Sequence, residues 1–220
     1  MGTMVGDDGA NNHIGVAQSA RWIGCRNSNQ GVGTVANYLE CFQWFLAPPD
    51  LEGNAPQSAL APHIINNSWG CSPSDGCIDV GILDEAVTAA HDAGIFVVAA
   101  AGNAGDACAT VSAPPAIYQD AFTVGATDMS DTIATFSSRG PVTVDGSERV
   151  KPDVTAPDVW IRSAYPDGGY VHMGGTSMAA PHVAGIAALM MSANPQLIGD
   201  PDRVAQLIRE MATPAFSSQD

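Results

Sequence analysis

Residues 174–185 read Gly174-Gly175-Thr176-Ser177-Met178-Ala179-Ala180-Pro181-His182-Val183-Ala184-Gly185, a glycine pair that leads through one serine into a long apolar segment. The glycines permit a sharp backbone turn and the close approach of a ligand. The apolar residues after them predict a helix buried on every side, with Pro181 tolerated in its first turn. Ser177 then lies where free N–H groups and the helix dipole favour negative charge. We interpret Ser177 as a nucleophile; the alternative is a buried helix that begins with Gly and Ser for packing alone.

This segment resembles the nucleophile signature of subtilisin-like serine endopeptidases. It differs from the G-x-S-x-G elbow of α/β-hydrolases because Ala179 occupies the last glycine position. Residues 133–141 and 151–157 match further signatures of the family, and residues 66–71 point to its bacillopeptidase F-like branch. One departure is Asp158, where the family usually has glycine, so we expect the turn there to differ or to be strained. The resemblance extends over nearly all 220 residues and implies a serine endopeptidase.

The length and charge of the chain restrict its class. Its 220 residues suit one α/β domain, taken here as 1–220, with a sizeable core. The 23 acidic and 8 basic residues give a net charge of −15, which argues against nucleic acid or an anionic membrane as a partner. No apolar run reaches the roughly 18 residues of a membrane span. With the resemblance, these features predict a secreted protein that acts on protein or peptide substrates and is monomeric when complete.

Five cysteines leave the disulfide pattern open. Cys71 and Cys77 flank a turn-rich loop and could close a small ring, whereas Cys25, Cys41 and Cys108 cannot all pair with one another. The spacing of cysteine and histidine does not match a metal site. We therefore expect one or two disulfides and at least one free thiol, which is typical of a secreted protein.

Helix and strand patterns alternate along the chain. Apolar residues at helical spacing predict helices over 35–46, from Asp79 to Gly94, and from Asp200 onward. Strand patterns occupy residues 20–25, 62–70, 95–101 and 121–126. The continuous apolar run 95–101 is typical of a parallel strand that is covered on both faces. The expected fold is α/β, a three-layer subtilisin-like architecture with a mainly parallel sheet.

Asn103 follows the apolar run 95–101, at the carboxyl end of a predicted strand, where ligands collect in such sheets. An Asn beside glycines is usually a turn residue. The resemblance implies a second role, because Ala-Ala-Gly-Asn is similar to the oxyanion-hole motif of the family. In that role the Asn103 side-chain amide and the Ser177 N–H would both donate to the oxyanion.

The resemblance also assigns a substrate channel. Residues Ser68, Trp69 and Gly70 match a strand end that pairs with the substrate in the family. Such a strand end binds an extended peptide through main-chain hydrogen bonds and demands few particular side chains. Residues Ala100, Ala101 and Gly102 are expected to line the other side of the channel. The alternative for residues 68–70 is an ordinary strand end.

The first residues of the chain resemble the second half of the helix that begins with the catalytic His-Gly-Thr-His motif in the family. On this resemblance we expect the chain to be incomplete at its N-terminus, with the catalytic His and Asp on the missing part. None of the five histidines is a credible replacement base. His182, for example, lies about 140° around the helix from Ser177. We therefore expect the chain to be inactive by itself.

We assign no metal and no other cofactor. The family often binds calcium, but the acidic loop 7–12 does not reproduce the required pattern. Two other functions stay open. The chain could be a peptide-binding pseudopeptidase, or a different serine hydrolase such as an esterase, although an esterase would need G-x-S-x-G.

Overall fold

The computed structural model describes residues 1–50 and 52–215. Within these ranges the chain forms helices α1 to α5 at Gly2–Val5, Val35–Leu46, Asp84–Asp92, Thr176–Ala193 and Pro201–Met211. The strands β1 to β8 are Ser28–Asn29, Val32–Gly33, Ile64–Asn67, Phe96–Ala100, Phe122–Thr127, Val154–Pro157, Ile161–Ala164 and Tyr170–Met173. The pairs β1-β2 and β7-β8 are small antiparallel sheets.

A parallel sheet in the order β3-β4-β5-β6 lies at the centre of the fold. Every residue of β4 is buried, and its side chains alternate between the two faces of the sheet. Val97 and Ala99 pack in one core with α2 and α3, whereas Phe96, Val98 and Ala100 pack in a second core with α4 and α5. Helices thus cover both faces, and the predicted three-layer α/β fold is confirmed.

The strand predicted over residues 20–25 is wrong. Residues 21–27 have no regular secondary structure and make no backbone–backbone hydrogen bonds with other described residues. Trp22 is 62% exposed and Ile23 is 41% exposed, so these side chains do not belong to a core. A strand needs a neighbour that pairs with its N–H and C=O groups. Residues 21–27 pair with no strand of the central sheet. Their strand-like composition was therefore not sufficient to form a strand.

The helix predicted to follow Asp79 begins later, at Asp84. Asp79 caps a turn instead, because its Oδ1 accepts a hydrogen bond from Gly81 N at 2.9 Å. Gly94 follows the helix in the left-handed conformation with φ of +82°, as a C-terminal glycine is expected to do. Asp200 caps α5 as predicted.

The sequence predicts that helix α4 is buried on every side, but one face of it is exposed. Its inner face packs on the central sheet through small residues such as Ala180, Ala184 and Ala187. Ile186 and Leu189 are 42% and 49% exposed, because the described residues place no element over the outer face. None of the helices in residues 1–50 and 52–215 combines the length and the hydropathy that a membrane span requires.

The structure forms two disulfides, Cys25–Cys41 and Cys71–Cys77, and leaves Cys108 as an exposed thiol. This outcome lies within the predicted range of one or two bridges and at least one free cysteine. The Cys25–Cys41 bridge ties the irregular segment 21–27 to α2, so a covalent bond holds a segment that has no backbone pairing of its own.

A buried polar network joins two strands to the last helix. Lys151 is 5% exposed, and its Nζ donates to Ala121 O at 2.6 Å and to Asp153 Oδ2 at 2.8 Å. The same Oδ2 accepts from Thr123 N at 2.6 Å, and Asp153 Oδ1 accepts from Arg209 Nη2 at 2.7 Å. Burial lowers the pKa of Lys151, and the Asp153 carboxylate opposes that shift. Asp153 therefore compensates a charge that would otherwise be costly to bury.

We predict that Asp153→Ala destabilises the chain strongly, because it removes the carboxylate that neutralises buried Lys151. Breaking a buried ion pair in this way costs about 3–5 kcal/mol. The matched control is Asp106→Ala, which removes an exposed carboxylate and should change stability by less than about 0.5 kcal/mol. Urea unfolding of both variants measures the difference, and equal stabilities would contradict the prediction.

Candidate active site

The site is built on the turn that starts α4. Gly175 is the N-cap residue, with φ of +137°, a conformation that side chains disfavour. A Cβ at this position would lie 3.4 Å from Asn103 Nδ2, and a Cβ at Gly174 would lie 3.3 Å from Asp158 O. The two glycines permit the sharp turn that the sequence predicts, and what they let approach closely is two other segments of the chain.

The sequence predicts Pro181 in the first turn of the helix, and this is wrong. Pro181 is the sixth residue of α4. In a regular helix its N–H would donate to the carbonyl of Ser177, four residues earlier, but proline has no N–H. Ser68 Oγ donates to that carbonyl instead, at 2.8 Å. In return, Ser177 Oγ donates to the carbonyl of Ser68 at 3.1 Å. This reciprocal pair of hydrogen bonds joins the end of β3 to the start of α4.

Asn103 contacts the same turn from the end of β4. Its Oδ1 accepts hydrogen bonds from Thr176 N at 3.0 Å and from Thr176 Oγ1 at 3.1 Å. A backbone N–H can only donate, so the atom that faces Thr176 must be the oxygen, and Nδ2 must point the other way. Thr176 Oγ1 also accepts from Gly102 N at 3.1 Å. The start of α4 thus fixes the orientation of the Asn103 side-chain amide. Asn103 Nδ2 then lies near Gly175, where it can act as a hydrogen-bond donor.

None of the five histidines hydrogen-bonds to Ser177 among the described residues. His182 Nδ1 lies 2.8 Å from Met178 O, and burial lowers the pKa of this imidazole, which favours its neutral form at pH 7. His172 is exposed and packs near the Trp160 ring, with 6.1 Å between ring centroids. The other histidines, at positions 13, 63 and 91, lie in a loop, before β3 and in α3. Within the described part of the chain, Ser177 Oγ therefore has an acceptor, the Ser68 carbonyl, but not a base.

The predicted substrate residues lie at the carboxyl ends of β3 and β4. The Trp69 side chain stacks on Tyr38, with centroids 4.0 Å apart and an interplanar angle of 4°, so it packs in the core rather than in a channel. Ala100 and Ala101 are buried. Gly102 has both backbone groups bonded, its N–H to Thr176 Oγ1 and its carbonyl to Ser138 N. On the β3 side, the Ser68 carbonyl is thus occupied by Ser177 Oγ, and the Trp69 ring is directed at the core.

The described residues contain no group of three or more His, Cys, Asp or Glu side chains arranged to hold a metal ion. The loop at residues 7–12 uses its acids in local turns: Asp7 Oδ1 accepts from Gly9 N, and Asp8 Oδ1 accepts from Ala10 N and Asn12 N.

The subtilase family model matches residues 1–219 of the chain. The chain belongs to the subtilase family. Bacillopeptidase F of Bacillus subtilis (strain 168) is 39% identical over 222 residues, which cover 99% of this chain and 15% of that protein. Serine protease AprX of the same strain is 34% identical over 228 residues, which cover 93% of this chain and 49% of that protein. The family predicted from the sequence is confirmed.

Two solved structures of subtilase relatives have the same fold. The crystal structure of a cold adapted subtilisin-like serine proteinase is 31% identical, with a TM-score of 0.75, over 99% of this chain and 67% of that chain. The S41 psychrophilic protease is 28% identical, with a TM-score of 0.78, over 98% of this chain and 69% of that chain. The chain spans less than two thirds of the length of bacillopeptidase F and AprX.

The sequence interpretation named Ser68 as a substrate residue but missed two interactions of this site. Thr176 holds the Asn103 amide, and the Ser68 hydroxyl serves the carbonyl that Pro181 leaves open. A proline six residues into a predicted helix signals that a carbonyl four residues earlier needs another donor. That signal was present in the sequence, but the identity of the donor was not.

We predict that Ser68→Ala and Pro181→Ala are coupled in stability. Ser68→Ala leaves the Ser177 carbonyl without its donor and should cost about 1–3 kcal/mol. Pro181→Ala supplies an N–H for the same carbonyl, so Ser68→Ala should cost about 1 kcal/mol less in that background. Urea unfolding of the four proteins of this double-mutant cycle measures the coupling. Ser192→Ala, an exposed serine on the same helix, is the control, and strictly additive losses would contradict the prediction.

Proposed function

We propose that Ser177 and Asn103 belong to the catalytic centre of a serine endopeptidase, in which they supply the nucleophile and the oxyanion hole. Ser177 is the nucleophile, and its backbone N–H and Asn103 Nδ2 are the two oxyanion donors. The observation that carries the proposal is the double hydrogen bond from Thr176 to Asn103 Oδ1, which orients Nδ2 beside the turn that holds Ser177. Membership of the subtilase family, whose relatives above are named as proteases, supports the same reaction.

The substrate is an extended segment of a protein or peptide. The backbone of Ser68, Trp69 and Gly70 pairs with the substrate main chain, while Ala100, Ala101 and Gly102 form the opposite wall of the channel. The Ser68 carbonyl now accepts from Ser177 Oγ at 3.1 Å. A base that receives the Ser177 proton would therefore release this carbonyl for a substrate N–H. Main-chain pairing of this kind supports peptides rather than small esters as substrates.

The histidine that accepts the proton and the aspartate that orients it come from a segment outside these 220 residues. This part of the proposal is supported by the absence of a histidine bonded to Ser177 in the described residues. We propose that the whole protein is secreted and monomeric, with 1–220 as one portion of a single peptidase domain. The two disulfides support an oxidising compartment. We assign the reaction no cofactor.

We predict that the 220-residue chain alone does not release chromophore from a peptide anilide at an enzymatic rate. A neutral serine hydroxyl is a weak nucleophile until a neighbouring base takes its proton, and a carbonyl oxygen cannot do so. The assay compares the wild-type chain with Ser177→Ala and with the control Ser192→Ala. Hydrolysis by the wild type and the control that Ser177→Ala abolishes would show that the chain carries a base of its own.

We predict that activity appears when the chain is joined to the corresponding N-terminal segment of bacillopeptidase F, which is to supply the aspartate and the histidine. Ser177→Ala should then leave only residual catalysis. Asn103→Ala should lower kcat on the order of 100- to 1,000-fold, the loss known for the same donor in subtilisin itself, with little change in KM. The bond from Nδ2 forms chiefly in the transition state, which is why kcat carries the effect.

Asn11→Ala, an exposed asparagine, is the control for Asn103→Ala. If Asn103→Ala changed only KM, the oxyanion assignment would fail and Asn103 would be a turn residue. A joined chain that binds an extended peptide without cleaving it would favour the pseudopeptidase. Cleavage of simple esters but not of peptides would favour an esterase.

A further inference from the structure

Asp158 is a buried carboxyl group that the proposed reaction does not use. It follows β6 directly, at the same edge of the sheet as Ser68 and Asn103, and its exposed fraction is 0%. The resemblance to the family leads one to expect glycine at this position. An acid in place of glycine, buried with no cation paired to it among the described residues, requires a physical reason because burial of a charge is costly.

The contacts of Asp158 are made either with the Gly174–Gly175 turn or with the central sheet. Its Oδ2 accepts a hydrogen bond from Gly175 N at 3.1 Å, and its own N–H donates to Thr127 O at 3.0 Å. Its carbonyl oxygen lies 3.3 Å from where a Cβ of Gly174 would be. Oδ1 is buried without a hydrogen-bond partner among the described residues. Both glycines of the turn therefore rest against Asp158, while β5 holds its backbone.

Helix α4 lacks a capping side chain of its own, because its N-cap residue is Gly175. Asp158 supplies the acceptor from another segment, 17 residues earlier in the chain. A carboxylate at this end of the helix also interacts favourably with the helix dipole. These two gains oppose the cost of burial and explain how an acid can occupy the position.

We propose that Asp158 is a positioning residue that holds the Gly174–Gly175 turn and thereby sets the position of Ser177. The turn is followed at once by Thr176, which orients the Asn103 amide, and then by Ser177, which carries the nucleophile and an oxyanion donor. A displacement of Gly175 would therefore move Thr176, the Asn103 amide that it holds, and Ser177 together. The consequence for catalysis rests on the function proposed above, whereas the contact with Gly175 does not.

The charge state of Asp158 depends on pH, so the contact can be followed in a pH titration. Burial raises the pKa of its carboxyl to about 6, the Gly175 N–H opposes the shift, and the nearby Asp128 carboxylate adds to it. The folded chain then holds a proton that the unfolded chain has already released between pH 4 and pH 6. This group therefore favours folding at low pH, and its contribution falls as the pH rises through about 6. The hydrogen bond to Gly175 becomes charge-assisted over the same range.

The sequence offers a direct probe of this contact. Gly-Gly pairs occur at Gly168–Gly169 and Gly174–Gly175 and nowhere else. Labelling the 220-residue chain with 1-13C,15N-glycine therefore gives two cross-peaks in an HNCO spectrum, the amides of Gly169 and Gly175. Gly169 N donates to Oδ1 of the exposed Asp167 at 2.8 Å, so it is an internal reference of the same chemistry.

We expect the Gly175 amide to shift with an inflection near pH 6 and to become insensitive to pH in this range in Asp158→Asn. Asp167→Asn, the matched control, should leave the Gly175 profile intact. A Gly175 amide whose shift is the same in the wild type and in Asp158→Asn at every pH overturns the proposal.

The second arm uses the chain joined to the N-terminal segment of bacillopeptidase F. Asp158→Ala should lower kcat on the order of tenfold to a hundredfold with KM unchanged, because a misplaced nucleophile costs rate rather than binding. Asp158→Asn keeps an acceptor oxygen and should recover part of the loss, and Asp167→Ala should have no effect. A lower Tm of Asp158→Ala with unchanged kcat overturns the positioning role. If the joined wild-type chain is inactive, the proposed function fails, and the Gly175 titration decides the positioning role alone.

Discussion

The missing N–H of Pro181 is the constraint on which the site depends. It leaves the Ser177 carbonyl without an intrahelical donor, and Ser68 Oγ fills that vacancy from the end of β3. A helix start that was satisfied internally would need no contact with the sheet. Because this one is not, Ser177, the proposed nucleophile, is held by a hydrogen bond from Ser68, and its side chain donates a hydrogen bond back to the Ser68 carbonyl.

The parallel sheet brings the remaining contacts to the same place. The carboxyl ends of β3, β4 and β6 are followed by Ser68, Asn103 and Asp158, and each of these residues hydrogen-bonds to the first turn of α4. In a parallel sheet all strands end on one edge, so residues far apart in sequence meet there. The start of α4 is thus bound through three successive residues, Gly175, Thr176 and Ser177, to three different strands.

The proposed acyl transfer has two separate requirements. Donors that stabilise negative charge must be rigid before the reaction begins, and the contacts around Asn103 and the turn provide that rigidity. Proton transfer requires a base near the hydroxyl, and the described residues offer Ser177 Oγ only a carbonyl acceptor. Among the described residues, the fold therefore fixes the Asn103 amide beside the start of α4 but brings no base within hydrogen-bond distance of Ser177 Oγ.

Local sequence patterns were sufficient for the fold class, for β4 as a strand covered on both faces, for α2 and α5, and for placing Asn103 after a strand and Ser177 at the start of a helix. These features depend on periodicity, on caps and on short motifs, all of which are local. The same local rules failed at residues 20–25, which have strand-like composition but no neighbouring strand, and at Pro181, which they assigned to the first turn. The partners of the turn could not be read from the sequence, because Ser68 and Ser177 are 109 residues apart and Asn103 and Thr176 are 73 apart. Their contacts arise only when the strands assemble and bring their carboxyl ends to one edge of the sheet.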